Sequence, residues 1–359
     1  MINFYYIIYM DKRYAQMLKS LNENNRLHSN KDDRILIIDG LNTFIRSFVV
    51  VPTVNENGTH VGGITGFLMS IGYAIRNIKP TRVVICFDGK GGSQRRRKLF
   101  PDYKANRRVK HRMTRINEFN SVDDERIAMG QQLQRLAEYL QTLPITVMAT
   151  ENIEADDAMA YISQQIYPKS QCILMSTDKD FLQLVDDRVQ VWSPTKKKFY
   201  FKDTLKEEFE IESKNFLMYR VLTGDSSDNI PGIKGAGTKT LMRRLPILFE
   251  DKELSLEKLF DYIDNSDDDT KLMENISNNR EQLELNYQLM QLKEVDISGR
   301  AKESINNICK ATMQKLNKPK FLQMLLEDTI NMNIKNPQLW LKDTFTILNS
   351  FALRSGDNK

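Results

Sequence analysis

At 359 residues, 41% apolar, with 52 Lys/Arg against 47 Asp/Glu, the chain carries enough apolar sequence for a proper core, which excludes a disordered or low-complexity protein. Its three cysteines, Cys86, Cys172 and Cys309, are far apart, which excludes a disulfide scaffold and a cysteine metal site; they read as free thiols of a reducing compartment, with Cys86 and Cys172 inside strand-like runs. The basicity is one patch: residues 90–115 hold 11 Lys/Arg against the single acid Asp102, a local charge of +10 in a chain of net +5.

The chain opens on MINFYYIIYM, apolar but too short to span a membrane and preceded by no basic stretch. Met10 is an alternative initiator that would leave the polar start DKRYAQ; residues 1–9 are expected to be dispensable for stability and activity, and residues 1–33 to form a polar extension. The runs at 35–38, 83–87 and 172–176 are short, unbroken and rich in Ile, Val and Leu, the pattern of parallel strands buried on both faces. Asp39 and Asp88 end two of them, and Asp178 and Asp180 follow the third. Glu154, Asp156 and Asp157 open a helix in IEADDAMAYI, with Glu154 and Asp157 on one face and Ile153, Ala158, Ile162 and Ile166 toward the sheet. Asp225 and Asp228 lie in TGDSSDNIPG.

Any one of these carboxylates reads as an N-cap or turn residue. Nine of them at strand ends and helix starts, with no His or Cys in the set, point to an all-oxygen site for hard divalent cations. In an open α/β sheet such a site forms at the carboxyl ends of the strands. Nine negative charges exceed two divalent ions, so some groups are expected to act through metal-bound water, and cations must stand nearby to admit a phosphate.

Residues 90–115 supply those cations directly after Asp88. The segment is interrupted by Gly91, Gly92 and Pro101 and contains Phe100 and Tyr103, which suits a segment that is mobile alone and grips single-stranded nucleic acid by phosphate contact and stacking. A solvated charged face or a nuclear-localisation signal are the alternatives. Residues 224–245 carry Pro231, Gly232, Gly235 and Gly237 ahead of a helix starting near Thr238, with Lys239, Arg243 and Arg244 on it. Neither the Rossmann nor the Walker spacing is present, so a loop binding the backbone of duplex DNA is the functional reading and a plain helix–turn–helix connection the alternative. The acidic stretch 264–271 lacks the EF-hand pattern and reads as a loop; 281–296 reads as an amphipathic core helix. Trp340 and its surroundings fit helical packing better than a docking segment for a replication partner. One large α/β domain and a smaller helical one are expected.

The motifs IDG, FDGKGG, YKANR, IEADD, STDKDF and GDSSDNIPGIKGAGTKT, in this order between residues 35 and 300, resemble the 5′ nuclease (flap endonuclease) family, which includes the 5′→3′ exonuclease domain of bacterial DNA polymerase I and phage 5′ nucleases. The segment VQVWSPTKKKFY and the tail look most like the phage-encoded RNase H that removes lagging-strand primers. The resemblance implies an α/β fold with a PIN-like parallel twisted sheet flanked by helices, a helical arch, and a helix-hairpin-helix-like C-terminal domain. Mapped onto the chain, this gives a nuclease domain at 34–200 with the arch at 90–135, and a helical DNA-binding domain at 201–359 with its hairpin element at 215–245. Asp39, Asp88, Glu154 and Asp156 match ligands of a first Mg²⁺, for which Mn²⁺ can substitute. Asp178, Asp180 and Asp225 match those of a second, with Asp157 and Asp228 in support. Lys104 and Arg107, and less closely Arg96, match residues that reach the scissile phosphate. Arg95, Arg97, Tyr103 and Arg108 would hold the nucleic acid, as would Gly232, Gly235, Gly237, Thr238 and Lys239, with K⁺ at the 232–240 loop. The implied enzyme is a monomeric, cytoplasmic, metal-dependent phosphodiesterase acting on DNA flaps or RNA–DNA hybrids. It would work with a single-strand-binding protein and a sliding clamp and without a membrane. A related PIN-class RNase and a non-catalytic junction binder are the rival readings. Residues 251–280 match no motif of the family.

Overall fold

The computed structural model describes residues 32–107, 113–114, 119–266, 270–330 and 333–356. The expectations for residues 1–31, for Arg108 and for the centre of the acidic stretch at 267–269 lie outside the described residues. The three apolar runs become strands: β1 (Arg34–Asp39), β2 (Arg82–Asp88) and β4 (Gln171–Met175). They are joined by β3 (Thr146–Thr150), β5 (Val189–Ser193) and β6 (Lys198–Tyr200). The sheet order is β3-β2-β1-β4-β5-β6, parallel except for β6, which pairs antiparallel with β5. The order reverses at β1, so the crevice beside its carboxyl end, between β1 and β4, is where such a sheet places a site. Register sets Asp39 beside Cys86 and Asp88 beside Thr150.

Alternate residues of the strands feed two cores. Leu36, Ile38, Val83, Ile85 and Ile173 face helices Gly40–Val50, Gly62–Ile78 and Val122–Leu140 through Phe44, Phe48, Phe67 and Leu136. Ile35, Ile37, Val84, Cys86 and Leu174 face helix Ala155–Tyr161, where Ile153, Ala158 and Ile162 are buried as the periodicity requires. All three cysteines are buried and free.

A third core is mainly helical. It joins Ser213–Thr223, Thr238–Arg244, Leu256–Asp264, Lys271–Asn278 and Arg280–Met290. The motif-free stretch 251–280 belongs here, supplying Leu259, Ile263, Leu272, Met273 and Ile276. The amphipathic run from 281 is a core helix as far as Met290 only. The helical body is therefore shorter than 201–359. Helices Lys318–Glu327 and Pro337–Gly356 return to the sheet, with Phe321, Leu341, Phe345 and Leu348 in its first core, and Gly299–Lys310 closes the second. A sequence stripe shows that a helix has an apolar face but not which body that face meets. Trp340 is packed in this way, its ring 5.8 Å from Phe321 and 5.5 Å from Phe345 and against Gly72.

Gln183 and Arg96 tie the helical body to the sheet. The Gln183 amide donates to the Asp180 and Met290 carbonyls (2.8 and 3.0 Å) and accepts from the Leu292 N–H at 2.9 Å; Arg96 Nε donates to the Leu289 carbonyl at 2.8 Å. No helix among the described residues is long and apolar enough to cross a membrane.

Candidate active site

Several of the carboxylates are both caps and site residues. Asp39 caps helix Gly40–Val50, one oxygen accepting from the Asn42 N–H at 3.0 Å and the other from Ser176 Oγ at 3.0 Å. Asp88 accepts from the Ala155 N–H at 2.7 Å, capping helix Ala155–Tyr161 from the neighbouring strand end and so fixing where Glu154, Asp156 and Asp157 stand. Gly89 lets that strand end pass close to β3: a Cβ there would lie 1.7 Å from the Thr150 carbonyl oxygen. Asp178 accepts from the Asp180 N–H at 2.8 Å.

The nine divide by partner. Asp39, Asp88, Asp156 and Asp178 have no cationic partner among the described residues and share the lining of one cavity of about 1010 Å³. The other five are engaged. Glu154 takes Arg96 Nη1, Lys104 Nζ at 2.6 Å and the Tyr103 hydroxyl at 3.2 Å. Asp157 receives both Arg96 Nη groups at 2.7 Å, with Arg95 3.7 Å away. Arg220 binds Asp180 and Asp225, each at 2.6 Å, and Arg107 binds Asp228.

The electrostatics follow that division. Burial, then the nearby charges of Asp178 and Asp88, pushes Asp39 up to about 6. Burial and Asp178 push Asp180 up to about 7, Arg220 notwithstanding. Asp156 is raised by burial and by Asp178 and Asp39, and Asp178 by burial and by Asp228 and Asp225. Burial also acts on Glu154, but Arg96 and Lys104 outweigh it and hold the group below the usual carboxylate range. Ser227 and Arg220 do the same for Asp225. Among the described residues no three His, Cys, Asp or Glu are arranged to hold a metal ion as they stand. Like charges keep the unpaired acids apart, and cations occupy the others. The donor set itself fits a hard divalent ion: it is all oxygen, gathered around one cavity, and short of positive charge.

The basic segment differs from its expectation. Arg96 is 3% exposed with both of its carboxylates buried, so it organises the site from behind rather than reaching into the cavity. Tyr103 is likewise 3% exposed, in the helical core, and is not free to stack on a base. The one-signed charge of residues 90–115 reads as a mobile segment, but buried acids draw Arg96 and Lys104 in, while Arg97, Lys98 and Arg107 stay exposed. Lys104 and Arg107 do line the cavity. Lys104 holds a left-handed backbone (φ 57°), fixed by its N–H to the Asp228 carbonyl at 2.9 Å, which aims Nζ at Glu154. Arg97 is exposed and Arg95 half-exposed.

The glycine-rich loop is built on close backbone approach. A Cβ on Gly232 would lie 2.1 Å from the Thr223 carbonyl oxygen, with Gly224 (φ 70°) opposite. Gly235, Gly237 and Lys239 are exposed, and Thr238 Oγ1 is 2.9 Å from the Tyr219 hydroxyl. Sequence reasoning missed Arg220, Asn42 and Ser176. The only signal for Arg220 was a lone cation in the apolar run NFLMYRVLT, five residues before Asp225.

Residues 34–210 match a family described as 5′-3′ exonuclease, N-terminal resolvase-like domain, and residues 211–311 one described as 5′-3′ exonuclease, C-terminal SAM fold. A 5′-3′ exonuclease of Bacillus subtilis is 31% identical over 218 residues, 58% of this chain and 68% of its relative. The chain belongs to the 5′-3′ exonuclease family. A flap endonuclease Xni of a Shewanella species is 29% identical, covering 73% of this chain and 90% of that one. The fold matches a solved flap endonuclease of bacteriophage T5, in complex with DNA and metal ions, at a TM-score of 0.58 and 20% identity, over 82% of this chain and 99% of that one. The same phage's 5′-exonuclease with bound zinc gives 0.60 at 21%, over 82% and 99%. In family terms the sheet is the resolvase-like domain and the helical body the SAM fold.

Proposed function

We propose that this member of the exonuclease family hydrolyses phosphodiester bonds near 5′ ends, in DNA flaps and in RNA–DNA hybrids, using two divalent ions. The observation that carries the reading is the set of four carboxylates without cationic partners among the described residues that line one cavity, Asp39 buried, Asp156 and Asp178 half-buried and Asp88 exposed at its rim, faced by Lys104 and Arg107. Asp39, Asp88 and Asp156 would hold one Mg²⁺ or Mn²⁺, with Glu154 behind them, and Asp178, Asp180 and Asp225 a second. Bound there, the ions supply an activated water and Lewis-acid charge for an in-line displacement. Lys104 and Arg107 stand where a phosphate entering the cavity meets them, and offset the charge that develops on it. Tyr103 and Arg96 hold Glu154 from behind, which keeps Lys104 in place. The exposed loop at 232–239, with Lys239, would hold the adjoining duplex by its backbone, with K⁺ as a further ligand of that loop. The biological role that fits is removal of RNA primers during replication of a phage genome, with single-strand-binding protein and sliding clamp as partners.

The test is a 5′-labelled DNA flap and an RNA–DNA hybrid, each digested with Mg²⁺ and with EDTA. Cleavage of both, only with the metal, is expected. Full activity in EDTA refutes the metal reading, and an inert hybrid removes the primer role while leaving the flap activity standing.

A further inference from the structure

Arg220 sits one turn from the end of helix Ser213–Thr223 and had no part in the sequence expectation. Its Nε donates to Asp180 and its Nη2 to Asp225, both at 2.6 Å, and its Nη1 to the Gly224 carbonyl at 3.1 Å. One single positive charge thus bridges the two carboxylates assigned to the second ion. We propose that the Arg220 guanidinium is a tethered stand-in for that ion: it holds Asp180 and Asp225 together in the metal-free protein and must turn away before a divalent ion can take both. The inference rests on the two-ion reading above.

Comparison with Arg96 shows why Arg220 is the exchangeable one. Arg96 is sealed at 4% side-chain exposure, and its Nε is fixed by the Leu289 carbonyl in the helical body. Arg220, at 11% side-chain exposure, lines the cavity beside Tyr219, Asp178 and Asp225, which gives its long side chain a direction in which to turn. Its one backbone acceptor is the carbonyl of Gly224, at its own helix end, so the contact between the helical body and the sheet that turning away breaks is the ion pair with Asp180, the carboxylate the incoming ion would take over. A guanidinium does not deprotonate in a protein, so it yields the site only by moving. The replacement is also favourable in charge: Asp178 lies against this pair without a cation of its own, and the single charge of Arg220 leaves the group negative. Because arginine and ion exclude each other, each weakens the other by the same factor.

The experiment is a titration of the full chain with Mn²⁺, counting free ion by electron paramagnetic resonance, for the wild type, Arg220→Met and Arg220→Lys. The wild type should bind one ion tightly and one weakly. Arg220→Met should tighten the weak site about tenfold or more and leave the tight one unchanged. Arg220→Lys, a point charge that does not bridge both carboxylates, should fall between. In EDTA the Met variant should melt below the wild type, and Mn²⁺ should close that gap. If Arg220→Met does not fold, the Lys variant decides alone: a weak site about threefold tighter supports exchange. Unchanged or weaker second-site binding in the variants overturns the proposal and makes Arg220 a residue that merely positions its carboxylates. Failure of the two-ion reading looks different: none of the three proteins then takes a second Mn²⁺, whatever residue stands at 220.

Discussion

Replacing Arg96 by Met would strip Asp157 of both close donors and Glu154 of one of its two cations. Both acids are 2% exposed, so neither gains water in exchange. Removing one partner of a buried ion pair costs about 3–5 kcal/mol, because the remaining charge stays buried. In a protein of this size that is about 4–7 °C in melting temperature. The pH dependence identifies the cause. Glu154 lies below its ordinary range in the wild type, so its contribution is present above the unfolded value of about 4.3 and is lost as pH falls through the folded one. In the variant Glu154, with one of its two cations gone, is held less far below that range. The gap between variant and wild type should therefore be widest at pH 8 and narrow at pH 5, measured by circular dichroism melts in EDTA. Adding Glu154→Gln and Asp157→Asn to Arg96→Met should recover part of the loss. Equal melting at pH 8, or a gap that widens on acidification, would refute the argument.

Lys104→Ala should slow cleavage of a flap about 100-fold or more while changing duplex affinity less than about threefold, since Lys104 faces the cavity and not the loop at 232–239; a matched loss in both would make it a binding residue. In EDTA the wild type should lose stability as pH rises from 5 to 8, because the folded protein keeps protons on Asp39 (about 6) and Asp180 (about 7) that the unfolded chain has released; saturating Mn²⁺ should flatten that slope. Asp178→Asn should abolish cleavage yet raise the melting temperature in EDTA, as a like charge beside Asp39, Asp156 and Asp180 disappears; a lower melting temperature would show that Asp178 holds the fold. Gly232→Ala places a methyl 2.1 Å from the Thr223 carbonyl oxygen and should lower both stability and duplex affinity; a neutral variant would show that this turn is free to open.

The strands at 34–39, 82–88 and 171–175 were legible because a strand buried on both faces needs an unbroken apolar run, a purely local property. Asp39, Asp88, Asp178 and Asp180 were legible for the same reason, as they end or follow such runs, and Glu154, Asp156 and Asp157 because they open a helix. What the sequence hid is how they are shared out. Arg96 meets Glu154 and Asp157 across 58 and 61 residues, and no spacing rule links positions so distant. Read alone, RRRK is a solvated charge run; set against two buried acids, one of its arginines is drawn inside. Tyr103 looked like a stacking residue because Tyr beside Lys fits that role, but its hydroxyl is committed to Glu154. The C-terminal helices were misplaced because an apolar stripe does not name its partner. The stretch 251–280 seemed anonymous because a core needs only apolar residues of suitable size, not a motif.

Gln183 and Arg96 rivet the SAM-fold body to the strand ends, through Met290, Leu292 and Leu289 on one side and Asp180, Glu154 and Asp157 on the other. Such a joint fixes the span from the loop at 232–239 to the cavity. With that loop holding the duplex as proposed, the enzyme would measure: where the duplex seats would decide which bond is cut, and the cut would fall at a set number of nucleotides from the junction whatever the sequence of the strand.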